Sequence, residues 1–416
     1  MYLTVKNQLR NLPVKYFETL RLLCHLSKNL YNEALYSVRQ YYFTERKHLT
    51  YESNYHECKV SENYKALGTD VAQQTMKVVD RNFKSFYALI SKAKAGAYQF
   101  KQIRLPHYLP KEGYFSLIIP RIAIKNGSFA IPMSIAFKKE HGEVRFEIPP
   151  NIEGKKICEV RIHPLNKAKF FEIEYIYEQP EIKVELNADK YMSIDFGLDN
   201  LATCVTNDGA SMILDGKRLK SYNRLYNKEN ARLQSNKDKA GIKGFTRRQV
   251  FNTGKRNRRV NHAMSVSASK IIKYCLKNQI GNLVVGYNLD WKRNIEIGKV
   301  NNQNFVQIPH GLLRQKLKYQ CELYGIKYIE QEESYTSKAS FFDNDKIPTY
   351  NEKNLQSYKF SGKRISRGQY RTSSGYILNA DINGALNILR KSKLVDLRVL
   401  QDRGCVNQPQ RISLFA

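Results

Sequence analysis

Apolar and polar positions recur with two different periods along the chain, and the changes of period divide it. After a strand-like start from Tyr2 to Val5 and a break at Pro13, the residues Phe17, Leu20, Leu23, Leu26, Leu30 and Leu35 fall three to five positions apart. That spacing predicts an amphipathic helix over about 14–40. A second helix is predicted from about Asp70 to Ala95, its stripe made by Val71, Met76, Val79, Phe83 and Phe86. Between about 100 and 185 the period shortens to two. Runs at 114–119, 128–131, 144–148, 157–162 and 170–177 read as short strands separated by Pro106, Pro110, Pro120, Pro132, Pro149, Pro150 and Pro164. Short strands at near-regular spacing with such turns predict a small β-barrel.

From Lys190 the pattern is that of an α/β domain. Tyr191 to Phe196 alternates and stops at Gly197, Leu201 to Thr206 forms a second strand, and Asn207-Asp208-Gly209 is a hairpin turn. Residues 217–259 begin as a helix and loosen around Gly241, Gly244 and Gly254, with a further helix predicted from about Arg258 to Asn278. Asn282 to Tyr287 reads as a buried strand, 311–323 as a helix, and 327–333 as a strand ending in acids. Residues 340–376 show no period. The last helix is predicted to start at Asp381 and to pack through Ala385, Leu386, Ile388 and Leu389.

Charge changes the picture. Of 416 residues, 69 are Lys or Arg and 38 are Asp or Glu, a net charge of +31 that calls for a polyanionic partner. The segment 217–259 holds fifteen of the cations against Glu229 and Asp238, which would self-repel without neutralisation and so predicts a nucleic-acid channel wall rather than a solvated hairpin. Seven scattered cysteines and the absence of any CxxC pair exclude a sequence-evident zinc ribbon and fit free thiols in a reducing compartment. No apolar run approaches membrane-spanning length and the start carries no export pattern, so the expectation is a cytoplasmic, nucleic-acid-associated protein.

The chemistry centres on an acid inside a strand. A carboxylate at Asp195 is costly there unless a cation or hydrogen bonds compensate it, which points to a metal ligand; an aspartate capping a strand-end turn is the bland alternative. The order strand, hairpin, strand, helix, strand, helix, strand and terminal helix is that of a ribonuclease-H-like fold, in which Asp195 and Asp381 would meet at one sheet edge. Clustered carboxylates holding two divalent ions hydrolyse phosphodiesters without a protein nucleophile.

Three stretches, SIDFGLDNLA from Ser193 to Ala202, YTSK from Tyr335 to Lys338 and NADINGALNI from Asn379 to Ile388, together with LYNEA from Leu30 to Ala34, resemble the transposon-encoded TnpB proteins related to type V CRISPR effectors. The resemblance spans nearly the whole chain. It implies a first wedge strand at 1–12, a helical recognition domain at 13–100, a wedge β-barrel at 101–186 and a RuvC nuclease domain at 187–416. Within the last it implies a basic helical segment at 217–278 and a target-loading loop at 338–378. It further implies Mg2+-dependent, RNA-guided DNA cleavage, with guide RNA from the transposon end and double-stranded target DNA as partners.

Two departures from the family pattern matter. A glutamate is expected after the hydrophobic run Leu283-Val284-Val285, where this chain has Gly286-Tyr287. Neighbouring strand ends lie about 5 Å apart, so Glu333, or else Glu332 or Glu330, is the candidate replacement, and alternation allows only one of the adjacent pair to face the site. Cysteine pairs are also missing where the chain has Ser337-Lys-Ala-Ser340 and Arg371-Thr-Ser-Ser374, so no zinc is expected and Phe341, Phe342, Tyr350 and Tyr370 are expected to pack the loop. The expected catalytic and metal-ligating set is Asp195, Glu333 and Asp381, with two Mg2+. Nucleic-acid contacts are expected from Gln73, Gln74, Lys77, Arg81 and Lys84, from Arg247, Arg248, Lys255, Arg256, Arg258 and Arg259, and from Lys363, Arg364 and Arg367. The rival functions are an RNA-guided binder or repressor that does not cut, a transposase or accessory of element mobility, and an unguided RNA-binding protein.

Overall fold

The computed structural model describes residues 1–288, 308–350, 357–400 and 404–414. Residues 351–356 of the basic segment and the side chain of Cys405 lie outside the described residues. The chain divides into two units, Met1–Pro180 and Glu181–Ala416.

In the first unit, β1 (Tyr2–Leu9) is followed by α1 (Val14–Glu45), α2 (Tyr51–Cys58), α3 (Glu62–Ala66) and α4 (Thr69–Lys94). The two short helices were invisible as periodicity because each is too brief to repeat a stripe. They are set by side-chain caps, Thr50 and Ser61, which accept from the backbone N–H of Ser53 and Tyr64. The remaining elements are β2 (Leu117–Ile119), β3 (Ser128–Ala130), α5 (Ile135–His141), β4 (Arg145–Glu147), β5 (Ile157–Leu165) and β6 (Phe170–Glu178). β1 pairs antiparallel with β6, so the first strand joins a sheet whose other members come after the helices. The strands pair as a four-stranded sheet, β1-β6-β5-β2, and a separate β3-β4 ribbon rather than as the expected closed barrel. Pro120, Pro132 and Pro149 stop the three-residue strands β2, β3 and β4, which removes the ladder hydrogen bonds that closure needs.

The second unit is built on a six-stranded sheet. β7 (Asn187–Phe196), β8 (Asn200–Thr206) and β9 (Ser211–Asp215) form the antiparallel meander. Two long helices follow, α6 (Lys217–Lys239) and α7 (Arg247–Lys277). α7 begins eleven residues before the expected start because Thr246 and Gln249 close a capping box there, which carries Gly254 inside the helix. Then come β10 (Ile280–Tyr287), α8 (His310–Tyr324) and β11 (Lys327–Glu332), with β10 and β11 parallel to β7. The stretch expected to lack structure contains two strands of a small antiparallel sheet, β12 (Lys363–Ser366) and β13 (Gln369–Arg371), and the third, β14 (Ile377–Asn379), follows it directly. α9 (Ala380–Ser392) and β15 (Gln410–Ile412) complete the unit, and β15 pairs parallel with β9 to give the order β11-β10-β7-β8-β9-β15.

The sheet is buried on both faces. Ile194, Leu283 and Val285 join α7 and α8 on one side, while Val205, Val284 and the apolar stripe of α9 form the core on the other. Alternation then fixes what each β7 residue meets. Ser193 donates from Oγ to the carbonyl of Ala385 at 2.7 Å, so Asp195, two residues on, points to the α9 side as well. No helix among the described residues is long and apolar enough to cross a membrane.

Candidate acidic site

Three elements bring the acids together. Asp195 lies near the end of β7, at the centre of the sheet, and α9 crosses it so closely that a Cβ on Gly384 would overlap Asp195 Oδ2. Glycine at 384 is therefore what lets the helix approach the acid. Asn379 caps α9, its side chain accepting from the N–H groups of Asp381 and Ile382. Because Asn379 takes the capping role, the Asp381 carboxylate is free for other partners. Asn200 donates to its Oδ2 at 2.7 Å, and Arg364 of β12 approaches Oδ1 at 3.2 Å. Asn200 was not among the expected site residues; its only sequence signal is its place just beyond the Asp195-Phe-Gly197 turn.

Glu333 follows the last residue of β11. The register pairs Gly286 with Gln331, so Glu333 lies diagonally across from Gly286 on the same face of the sheet. Its Oε1 accepts from Asn288 Nδ2 at 3.2 Å, and its backbone is tied by its own N–H to the Tyr287 carbonyl and by Thr336 to its carbonyl. Its Oε2 is buried and has no hydrogen-bond partner. Glu332 faces away: Lys391 meets its carboxylate at 2.5 Å, and Ser334 N–H donates to it. Glu330 is half-exposed near Arg314, at 3.9 Å. Of the three candidate glutamates, Glu333 alone is close enough for its charge to act on Asp195.

The carboxyls of Asp195 and Glu333 are both strongly raised. Burial, then the neighbouring charges of Glu333 and Asp381, push the Asp195 carboxyl well above the usual carboxylate range, against the pull of Arg364. Burial pushes Glu333 up to about 7, opposed by Arg314 and Lys391 and reinforced by Glu332. Glu332 behaves oppositely: burial raises it, but Lys391 and Ser334 outweigh burial and hold it below the usual value. An all-oxygen, mutually repelling set with an unpartnered buried oxygen suits a hard divalent cation. Among the described residues no three Asp, Glu, His or Cys side chains are drawn tightly enough to make a ready ion cage. Asp381 is turned toward Asn200 and Arg364 and Glu333 toward Asn288, so the acids are neighbours whose carboxylates have other partners.

The turn after Glu333 is bolted to α9. Buried Asn383 and Asn387 donate to the carbonyls of Ala339 and Thr336, and Arg390 donates to those of Ser340, Phe341 and Asp345. Where cysteine pairs are missing, Asp345 accepts from the Ser340 N–H and from Ser361, and Asp343 accepts from the N–H and hydroxyl of Ser373. Phe341 and Tyr370 are buried as expected, whereas Tyr350 is 50% exposed.

The expected nucleic-acid residues lie on α4, on α7 and around β12, and several already have partners. On α4, Lys77 lies over the Tyr51 ring, Lys84 pairs with Asp80, Gln73 and Gln74 are half-buried, and Arg81 is exposed. On α7, Arg247, Lys255 and Arg259 are exposed, with Arg259 also over Tyr222; Arg248 approaches Glu229 at 3.4 Å and Arg258 is half-buried. Arg256 is half-buried and donates to Asn223, so it serves the α6–α7 contact. On β12 and the turn after it, Lys363 is exposed, while Arg364 and Arg367 pair with Asp381 and Asp199.

Residues 174–292 match the family described as a probable transposase, OrfB of the IS605 kind, and residues 310–388 match the Cas12f1-like TNB domain. A TnpB-like protein, ORF457 of Acidianus two-tailed virus, is 26% identical over 419 residues, covering 93% of this chain and 86% of the relative. The chain is similar to TnpB-like proteins. The fold is similar to that of the chain in a Cas12f1–sgRNA–target DNA complex, with a TM-score of 0.55 at 14% identity over 90% of this chain and 83% of that one. It is also similar to the mini RNA-guided endonuclease CRISPR-Cas_phi3, with a TM-score of 0.50 at 10% identity over 95% and 92%. At these identities the likeness speaks for the fold, and the site is read from its own residues.

Proposed function

We propose that the protein is an RNA-guided DNA endonuclease whose hydrolytic centre is Asp195, Glu333 and Asp381. The observation that supports this reading is a buried Glu333 oxygen left without a partner, together with an Asp195 carboxyl that burial and the charges of Glu333 and Asp381 push up. Mg2+ is the expected ion, held by these three carboxylates; bound there, it would activate a water and stabilise the leaving oxygen of a phosphodiester. The protein's own side chains orient the acids: Asn288 holds Glu333 and Asn200 holds Asp381. The net charge of +31 suits a guide RNA and a DNA duplex, with guide pairing supplying sequence recognition. The similar Cas12f1 chain was seen with guide RNA and target DNA, and the Cas_phi3 protein is an RNA-guided endonuclease; both favour the same assignment here.

A second reading, a guided binder that does not cut, is favoured by two observations: Arg364 pairs with Asp381, and the described acids do not form a closed cage. The two are separated by incubating the purified ribonucleoprotein, carrying the RNA encoded beside its gene, with Mg2+ and a matched duplex. Cleavage abolished by Asp195→Asn supports the nuclease; tight binding with an intact duplex rejects it. Excision of element ends without any RNA would instead favour a transposase.

A further inference from the structure

We propose that Gly286 is a positioning residue of the acidic site: the side chain it lacks is the space in which the Glu333 carboxylate sits, so the third acid can be delivered from either of two neighbouring strands. This rests on the reading that Glu333 is a working acid.

Glycine in the middle of a buried strand weakens it, through lost packing and a more costly ordering of the backbone. Gly286 lies in β10, where Ile280 to Gly286 are all buried, and its φ is outside the positive range, so the backbone does not demand glycine there. The space does. A Cβ built on residue 286 would overlap Glu333 Oε2, would come within 2.7 Å of Ile388 Cδ1 and would lie 3.2 Å from the Ile194 carbonyl oxygen. The register pairs Val285 with Ile194, so one step further places Gly286 beside Asp195, and in parallel strands residues side by side point to the same face. A side chain on 286 would therefore leave its strand in the same direction as Asp195 and enter the volume that Glu333 now fills from β11. Asn288, two residues on and just past the end of β10, already donates to the Glu333 carboxylate, so β10 supplies the seat and the residue after it the hydrogen bond that orients its occupant. The two positions are alternatives. Filling one excludes the other.

The test is Mn2+ binding to the purified full-length protein, followed by electron paramagnetic resonance, alongside Mg2+-dependent cleavage by the guide-loaded protein. Four variants are needed: Glu333→Ala, Gly286→Ala, the pair Glu333→Ala with Ile388→Val, and that pair with Gly286→Glu added. The valine removes the Cδ1 that a side chain at 286 would strike. Glu333→Ala is expected to weaken Mn2+ about tenfold or more, and Gly286→Ala is expected to do the same with Glu333 still present, because its methyl group unseats the carboxylate. The variant carrying Gly286→Glu is expected to regain affinity to within about threefold of wild type, which restoring the local packing alone would not achieve. If it binds Mn2+ no better than the valine-alanine pair while melting as a folded protein, the proposal is overturned. Should it fail to fold, unchanged Mn2+ affinity in Gly286→Ala overturns the proposal equally. Unchanged affinity in Glu333→Ala overturns the reading of Glu333 itself.

Discussion

The strand ends that carry the acids and the segment from Thr336 to Tyr376 each lack a group the family resemblance implies, and they make good the loss in opposite ways. In the segment, Asp343 and Asp345 take the place of cysteine pairs, and their oxygens accept from Ser340, Ser361 and Ser373. Hydrogen bonding is closed there, and serine donors hold Asp343 below its usual carboxylate range even though partial burial works the other way. At the strand ends Glu333 is proposed to take the place of a glutamate on β10; one of its oxygens stays buried without a partner and its carboxyl is pushed up to about 7. A replacement that serves the fold satisfies its polar atoms. One that serves chemistry leaves an acceptor open, because an oxygen already hydrogen-bonded has less to offer a cation.

The comparison breaks most visibly if Glu333 turns out to be structural. Glu333→Ala and Asp195→Asn are each expected to lower the cleavage rate of the guide-loaded protein by at least about a thousandfold, the scale of losing a group that acts on the transition state. Melting without metal should stay level or rise, since a buried, unpartnered carboxylate has been removed. Asp343→Ala should do the reverse. Removing the acceptor of two Ser373 donors is expected to cost about 1–2 kcal/mol of stability, seen as a lower urea midpoint, with cleavage by the folded fraction near normal. A zinc chelator should leave the wild-type midpoint where it was. A chelator-sensitive midpoint would show that a metal organises the segment after all.

pH sharpens the same contrast. Glu333 has a folded pKa of about 7, above its unfolded value, so the folded protein takes up a proton first as pH falls. Its burial therefore destabilises the metal-free protein fully above about pH 7, and that penalty fades as pH falls from 7 toward the ordinary carboxylate range. Metal-free protein is expected to melt about 2–4 °C higher at pH 6 than at pH 8, and Glu333→Gln should flatten most of the difference. Asp343, shifted downward, adds stability that is lost only at lower pH, below its unfolded value. A melting temperature that falls from pH 8 to pH 6 would contradict the assignment of an unpaired acid at the strand ends.

Much of this was legible in the chain because local periodicity governs it. The alternation around Asp195, the Asn207-Asp208-Gly209 turn and the apolar stripe of α9 are near-neighbour patterns, and they led to the sheet, the hairpin and the helix that hold two of the acids. Alternation also said that Glu332 and Glu333 must diverge, though not which one faces inward; that depends on the parallel register with β10, a long-range fact. Partners distant in sequence were illegible. Nothing local marks Asn383 and Asn387 as clamps on the turn at Thr336 and Ala339, although two buried-face asparagines four residues apart in an apolar helix are a usable signal. β15 is three residues long and pairs with β9 only through the sheet edge. The expected barrel failed for a related reason: proline-bounded runs predict strands but carry no information on whether their edges meet.

The smallest expected effect separates the adjacent glutamates. Glu332 belongs with the satisfied group: its carboxylate meets Lys391, which is 8% exposed, and accepts from the Ser334 N–H. Removing it leaves the Lys391 ammonium with the carbonyls of Ser334 at 3.0 Å and Pro348 at 2.9 Å, so the cation keeps two acceptors. The expected cost of Glu332→Ala is therefore about 1 kcal/mol or less, and cleavage should stay within about twofold of wild type. A pair of neighbouring residues with the same chemistry would then differ about a thousandfold in catalysis and hardly at all in stability, a contrast that follows from which face of β11 each one leaves. If Glu332→Ala abolished cleavage and Glu333→Ala did not, the third acid would have to reach the site from the Lys391 side, and the seat over Gly286 would be a packing accident.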